Sequence, residues 1–210
     1  MYVPAHFAGS AGLLGELLGT GAIADLVTAG VAGFDATPLP LLLVDGALHG
    51  HLARNNTQWQ AGLGDGTPAL VIVRGPDAYV SPGWYESKRE HGRVVPTWNY
   101  QVVHVHGRLL AHDDPAWTER LVRRLTDTHE AALTAPWSVD DAPADYIAGQ
   151  LRAIVGIEVT IERIEAKAKL SQNRSAADVA GVFAALSAGD PRQQAVADAM
   201  RPVISGSTPE

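Results

Sequence analysis

The chain contains no cysteine among its 210 residues, which excludes disulfide scaffolds, thiolate metal sites and cysteine nucleophiles. Any redox chemistry must therefore reside in a bound cofactor. Cations are missing from the N-terminal region: no lysine or arginine precedes Arg54, and Glu16, Asp25, Asp35 and Asp45 leave residues 1–53 at −4. Long uncharged runs are missing too. The longest, Met1 to Gly15, is broken by Pro4, His6 and glycines and falls short of the roughly 18–20 apolar residues that span a bilayer. It lacks the basic n-region of a signal peptide, so no membrane partner and a cytoplasmic location are expected. G-x-S-x-G, H-E-x-x-H and Walker-type loops are all absent, which removes the usual footing for serine hydrolysis and P-loop phosphate chemistry.

What is present is enough sequence for one sizeable core, 46% hydrophobic, with a formal charge of −7. Residues 54–174 are nearly neutral, with 14 Lys/Arg against 15 Asp/Glu, so the acidity comes mainly from the two ends. An acidic average works against the phosphate neutralisation that nonspecific DNA binding depends on. Two clusters could form a local basic patch, Lys88/Arg89/Arg93 and Arg120/Arg123/Arg124; charge runs of this kind ordinarily form solvated faces.

The apolar pattern alternates between strand and helix. Residues 11–18 have helical spacing. Gly19-Thr20-Gly21-Ala22-Ile23-Ala24 matches G-x-G-x-x-A, but a helix precedes it and a strand follows, the reverse of a dinucleotide fingerprint, so it reads as a helix-ending turn. Strands are expected over Ala22–Thr28 and Leu39–Val44, followed by a hairpin at Asp45-Gly46 and a return strand to Arg54 with His49 and His51 on one face. The Gly-rich residues 61–66 precede a strand over Ala69–Val73, a turn at Gly75-Pro76, and a short strand over Ala78–Ser81. Residues 81–92 form a long polar excursion, of the kind that is often functional. A strand from Thr97 to Leu110 puts Trp98, Tyr100, Val102, His104 and His106 on one face, with Asn99, Gln101, Val103 and Val105 on the other. Asp114-Pro115 opens a helix to about Leu133, and a shorter helix follows near Pro143–Leu151. Strict alternation marks Ala153–Glu165 as a strand with one buried face. Ser175 with Asp178 makes a variant capping box for a helix to Ser187, and Asp190-Pro191 starts a last helix to about Met200. Short strands at hairpin spacing with helices at both ends predict an α+β domain built on an antiparallel sheet or small barrel.

Two His-x-His pairs, His49/His51 and His104/His106, project imidazoles the same way along a strand. A catalytic metal wants three convergent ligands, so these are read as hydrogen-bonding strand histidines and no metal site is assigned. Aromatic and polar residues concentrate between Trp84 and Tyr100, a mixture that suits a flat π-system with a charged end and equally a loop anchored by tryptophans. Arg54, at a strand end with a helical turn to follow, has the guanidinium fork that a phosphate needs.

Residues 2–7 (YVPAHF), 38–42 (PLPLL), 50–59 (GHLARNNTQW), 75–85 (GPDAYVSPGWY), 94–100 (VVPTWNY) and 169–174 (KLSQNR) together resemble, in order, the PaiB family of FMN-binding negative transcriptional regulators. The resemblance runs to about Leu186. It implies a split antiparallel β-barrel with flanking helices, pyridoxamine-phosphate-oxidase-like, over residues 1–186, with residues 187–210 as a C-terminal helix and tail packed on the same domain. It also implies a homodimer with FMN where the subunits meet. Thr37, Pro38 and Leu39 with His51 and Ala53 would line the isoalloxazine through backbone groups, and Arg54 with the turn through Asn55 would take the phosphate. Lys169, Gln172 and Arg174 would contact the phosphate, the ribityl chain or the flavin carbonyls, and Trp98 and Asn99 would close the pocket from the partner subunit. Arg54 and Arg174 acting only as subunit bridges is the competing reading. One departure is plain: the expected Ala-Asn-Pro-Gln is Asn55-Asn56-Thr57-Gln58 here, so a proline that would set the turn is lost. DNA is the partner that the resemblance implies and the charge argues against. The alternative is a flavin-dependent oxidoreductase or flavin reductase of the split-barrel group with no direct DNA contact, and the catalytic residues stay open between the two.

Overall fold

The computed structural model describes residues 1–19, 21–30 and 33–206, which form two compact units. One comprises Gly15–Val73 and His104–Ile164; the other comprises Met1–Leu14, Arg74–Val103 and the C-terminal part from Glu165. No helix among the described residues is long and apolar enough to cross a membrane.

The strands of the first unit are β1 (Ile23–Gly30), β2 (Gly33–Pro40), β3 (Leu42–Val44) and β4 (Ala47–Ala53), joined by the near parts of β5 (Thr67–Val80), β6 (Thr97–His112) and β7 (Ile154–Lys169). They lie in the order β2-β1-β5-β6-β7-β4-β3. β1 pairs antiparallel with β2 and β5, and β4 with β3 and β7. β2 and β3 sit at opposite ends of that order, yet only Leu41 separates them in sequence, so the sheet must curl until its two edges meet, as in a barrel. At that seam Gly50 of β4 comes so close that an added Cβ would lie 2.6 Å from Leu41 Cδ2 and 3.0 Å from Pro40 O. The hairpin between β3 and β4 turns on Asp45 (φ 49°) and Gly46 (φ 83°), the left-handed pair expected of Asp-Gly.

Two strand expectations need correction. The run Leu39–Val44 is split at Leu41 between two strands, and β2 reaches back to Gly33. Its first half went unread because Gly33 to Ala36 are exposed and carry no apolar alternation, while Pro38 and Pro40 are tolerated because β2 is an edge strand. Gly75-Pro76 is not a turn: β5 runs straight through it, but the buried parity changes from Ala69, Val71 and Val73 to Ala78 and Val80. The pair therefore marks a shift of face within one strand.

Helix α1 (Leu13–Gly19) ends near Gly21 (φ 78°); Thr20, part of the expected turn, lies outside the described residues. Helix α2 (Ser87–Glu90) and a 3-10 turn at Pro82–Trp84 occupy the polar excursion. Asp114 caps α3 (Pro115–Glu130) as expected, and α4 (Ala144–Arg152) follows. In the other unit, α5 (Ala176–Ser187) and α6 (Pro191–Ile204) pack Val179, Val182, Leu186, Val196 and Met200 against Val80, Tyr85 and Leu170. Asp190 and Gln193 form a full capping box for α6. The box expected for α5 is only half made. Ser175 caps the helix, but the Asp178 carboxylate accepts instead from Ser87 N at 2.9 Å and Ser87 Oγ at 2.7 Å, 91 residues away in sequence.

Candidate functional site

The expected flavin residues fall into two groups, each inside one unit. In the first, the segment Thr37–Leu39 ends β2, and His51–Ala53 closes β4. Gly50 brings these strands together, since it meets Leu39 and Pro40 across the seam. As the last strand of its sheet, β2 leaves the peptide groups of its outer edge without a neighbouring strand. His51 shares its face with His49, and its Nδ1 is buried with no hydrogen-bond partner among the described residues. Burial alone pushes the His51 imidazole below its usual range, so the neutral ring is favoured.

Arg54 is differently placed from expectation. Its Nε donates to Arg152 O at 2.8 Å, its Nη2 to Ile154 O at 3.2 Å, and its two Nη atoms form a fork on Asp113, at 2.7 and 3.1 Å. Four of the five guanidinium protons are thus engaged within the chain. That fork holds the Asp113 carboxyl below the usual range. Beside the pair is a cavity of about 260 Å³, also lined by Pro115, Thr118, Leu151 and Arg152. Asn55 is exposed on the turn. The lost proline is compensated by Asn56, whose side chain accepts from Gln58 N and caps the 3-10 turn Thr57–Gly62.

The second group gathers around the end of β7. Lys169 Nζ donates to Trp98 O at 2.6 Å and to Thr97 Oγ1, and lies 5.9 Å from the Phe7 ring centroid. Burial lowers its affinity for the proton, and the charges of Lys167 and Arg174 lower it further. The Arg174 guanidinium sits 4.6 Å over the Tyr85 ring. Trp98 is half-exposed on the face opposite Asn99. Asn99 is 0% exposed; its Nδ2 donates to Ser171 Oγ, its Oδ1 accepts from that hydroxyl, and Met200 Sδ lies at 3.5 Å. Its place is inside the fold, holding the turn at Ser171 (φ 72°), rather than at a ligand surface. Gln172 is likewise turned inward, accepting from Leu170 N and donating to Ala168 O.

Three participants escaped the sequence reading. Asp113 carried no signal of its own beside the cap at Asp114, Gln58 was one polar residue of a motif, and Glu158 lay on the polar side of an alternating strand. Glu158 Oε2 lies 3.0 Å from His112 Nε2 and 3.7 Å from His49 Nε2, while His112 stacks on Trp117 at 4.2 Å.

Residues 1–163 match the family described as "Putative FMN-binding domain". The chain belongs to the PaiB family of FMN-binding proteins. A curated relative, "Protease synthase and sporulation protein PAI 2" of Bacillus subtilis, is 36% identical over 134 residues, covering 64% of this chain and 61% of the relative. An uncharacterized protein of Emericella nidulans is 32% identical over 166 residues, covering 67% and 66%. The chain thus spans less than two thirds of the length of either. Among solved structures, a conserved hypothetical protein, Rv2991, from Mycobacterium tuberculosis aligns over 83% of this chain and 94% of its own, with TM-score 0.58 and 13% identity. The flavocytochrome Anf3 from Azotobacter vinelandii aligns over 80% and 72%, with TM-score 0.57 and 13% identity. The FAD and heme binding protein from Mycobacterium smegmatis aligns over 76% and 71%, with TM-score 0.52 and 19% identity. These three share the fold. It is the α+β split antiparallel barrel with flanking helices, and FMN is the cofactor of the family. Lys169, Gln172 and Arg174 lie beyond the matched segment.

Proposed function

We propose that this PaiB-type chain works as a homodimer, holding FMN against the β2 and β4 segments Thr37–Leu39 and His51–Ala53, with the phosphate cations drawn from Lys169 and Arg174 of either copy. The observation that carries the reading is the seam at Gly50, where the edge strand β2 adjoins a histidine whose buried Nδ1 has no partner among the described residues. The pyrimidine edge of a flavin carries an N–H donor between two carbonyls, and with Pro38 lacking an N–H the Thr37–Leu39 backbone offers it chiefly carbonyl acceptors. FMN bound there supplies one- and two-electron redox chemistry. The protein's part is to orient the ring, exclude water and neutralise the phosphate.

Charge decides between the candidate cations. Arg54 would have to surrender Asp113 to receive a phosphate, whereas the charges facing Lys169 are those of Lys167 and Arg174. An anion beside Lys169 relieves that repulsion. A second copy is favoured by the exposure of Phe34 (82%) on β2 and of Tyr2 (83%), which suits apolar surface meant to be covered, with Trp98 of the second copy closing the pocket. The candidate DNA patches are partly neutralised: Arg123 is paired with Glu119 and Asp140, and Arg89 with Glu86. We therefore place any regulatory role in the bound flavin rather than in direct DNA contact, in a cytoplasmic protein. Light scattering coupled to gel filtration should give twice the chain mass, and the purified protein should carry or take up FMN; a monomer that binds no flavin refutes the proposal.

A further inference from the structure

Gln58 sits on the 3-10 turn after β4 and is only 4% exposed. A primary amide tolerates such burial when its polar atoms are satisfied, and here they are. Its Nε2 faces three acceptors: Leu26 O at 3.2 Å and Thr28 Oγ1 at 3.1 Å on β1, and Asp35 O at 3.3 Å on β2. Its Oε1 accepts the Thr37 hydroxyl at 2.6 Å. Only one sense of the amide fits, because the flipped group would set its oxygen against the Leu26 and Asp35 carbonyl oxygens. Asn56 completes the arrangement, donating from Nδ2 to Thr37 Oγ1 at 2.9 Å and accepting Gln58 N at 3.0 Å.

The pattern of partners is specific. In the β1–β2 ladder, Leu26 is opposite Thr37 and Thr28 is opposite Asp35. One amide head therefore bonds all four members of two successive pairs on the same face. A slip of one residue would turn the Thr28 and Thr37 hydroxyls to the other face, so the contact fixes register as well as position. β2 needs that. It is an edge strand, exposed from Gly33 to Ala36, and the prolines at 38 and 40 remove two of its donors.

We propose that Gln58, with Asn56, is a positioning residue for the flavin strand: it clamps the β1–β2 hairpin to the turn after Arg54 and so presents the backbone of Thr37–Leu39 to the isoalloxazine. This rests on the reading that those residues line the flavin. Thr37 itself makes no side-chain donation to the ring, since its one proton goes to Gln58. Specificity at this strand is therefore a backbone property, addressed to the ring and indifferent to the phosphate.

The test measures affinity for FMN and for riboflavin, the visible absorption band of the bound flavin, and the melting temperature without flavin, in Q58M, T37V, T37S and the double variant T37V/Q58M. Q58M and T37V should each weaken both flavins alike, by about tenfold, the loss of roughly one to two buried hydrogen bonds. They should also shift the visible band, while T37S, which keeps the hydroxyl, stays within about twofold. The double variant should be no worse than the weaker single, because both break the same clamp. Should Q58M fail to fold, T37V against T37S carries the comparison at a half-exposed position. The proposal is overturned if Q58M melts lower yet binds both flavins as the unmodified protein does, or if the two losses multiply. An unmodified protein that binds neither flavin overturns the underlying site as well, a result distinguishable from a loss confined to the variants.

Discussion

Replacing Gly50 by alanine probes the seam on which the site depends. A Cβ at this position would lie 2.6 Å from Leu41 Cδ2, 3.0 Å from Pro40 O and 3.2 Å from Leu39 Cδ1. The leucine methyls can rotate aside, but the Pro40 carbonyl is fixed where β2 passes into β3 with only Leu41 between them. Overpacking against such a neighbour costs about 1–3 kcal/mol. At roughly 2–4 °C per kcal/mol for a chain of this size, the melting temperature should fall by about 2–12 °C. Because Leu39 and Pro40 must retreat from β4, the flavin segments separate, and FMN affinity should fall by about tenfold, equivalent to ~1.4 kcal/mol. Calorimetric melting and FMN titration on one preparation read both effects. Gly15→Ala is the control: it lies in α1 with nothing within 4 Å of an added Cβ, and should stabilise the protein by ~0.5–1 kcal/mol. A Gly50→Ala protein that melts and binds FMN like the unmodified one refutes the reasoning.

Burial lowers the proton affinity of both His49 and His51 from the ordinary value of 6.5, outweighing the pull of Glu158 on His49. The unfolded chain then binds more protons, so stability is held above pH 6.5 and lost as pH falls through and below it. Denaturant melts at pH ~7.5 and ~5.5 should show the drop, and equal midpoints would contradict it. Asp178→Ala removes a buried carboxylate whose bonds to Ser87 and Ser175 outweigh the burial that raises it, and should cost ~1–3 kcal/mol in the same assay; no loss would mean that the tie to Ser87 is idle. Lys169→Met should weaken FMN about tenfold more than riboflavin, the worth of one charge-assisted hydrogen bond; parallel losses would remove Lys169 from the phosphate. Binding to duplex DNA at low salt should be absent or sequence-independent, and a specific complex with a steep salt slope would return DNA to the account.

Much of the scaffold was legible because its signals are local. Asp45-Gly46 specified a turn by the φ angles it tolerates, Asp114-Pro115 and Asp190-Pro191 capped helices, and alternation matched the buried faces of β6 and, at Val155, Ile157 and Val159, of β7, whose residues beyond Val159 are not buried. What failed was read from local signals that tertiary context overrode. Gly75-Pro76 has turn chemistry, yet β5 absorbs it as a change of face. Asp178 has capping spacing, yet its carboxylate serves Ser87 instead. The same limit applies to the site. Six ordered motifs named the family and the segments, but no spacing rule links Arg54 to Asp113, or Gln58 to four residues on β1 and β2. Those contacts are made across the sheet, and they change the assigned roles: the free-looking Arg54 is engaged, and the ordinary-looking Gln58 sets a strand.

The most direct test of the central claim is calorimetric titration of the purified protein with FMN, alongside riboflavin. The account predicts saturable binding near one FMN per chain, tighter than riboflavin, with a visible spectrum altered from that of free flavin. Absence of binding at FMN concentrations well above micromolar would contradict it.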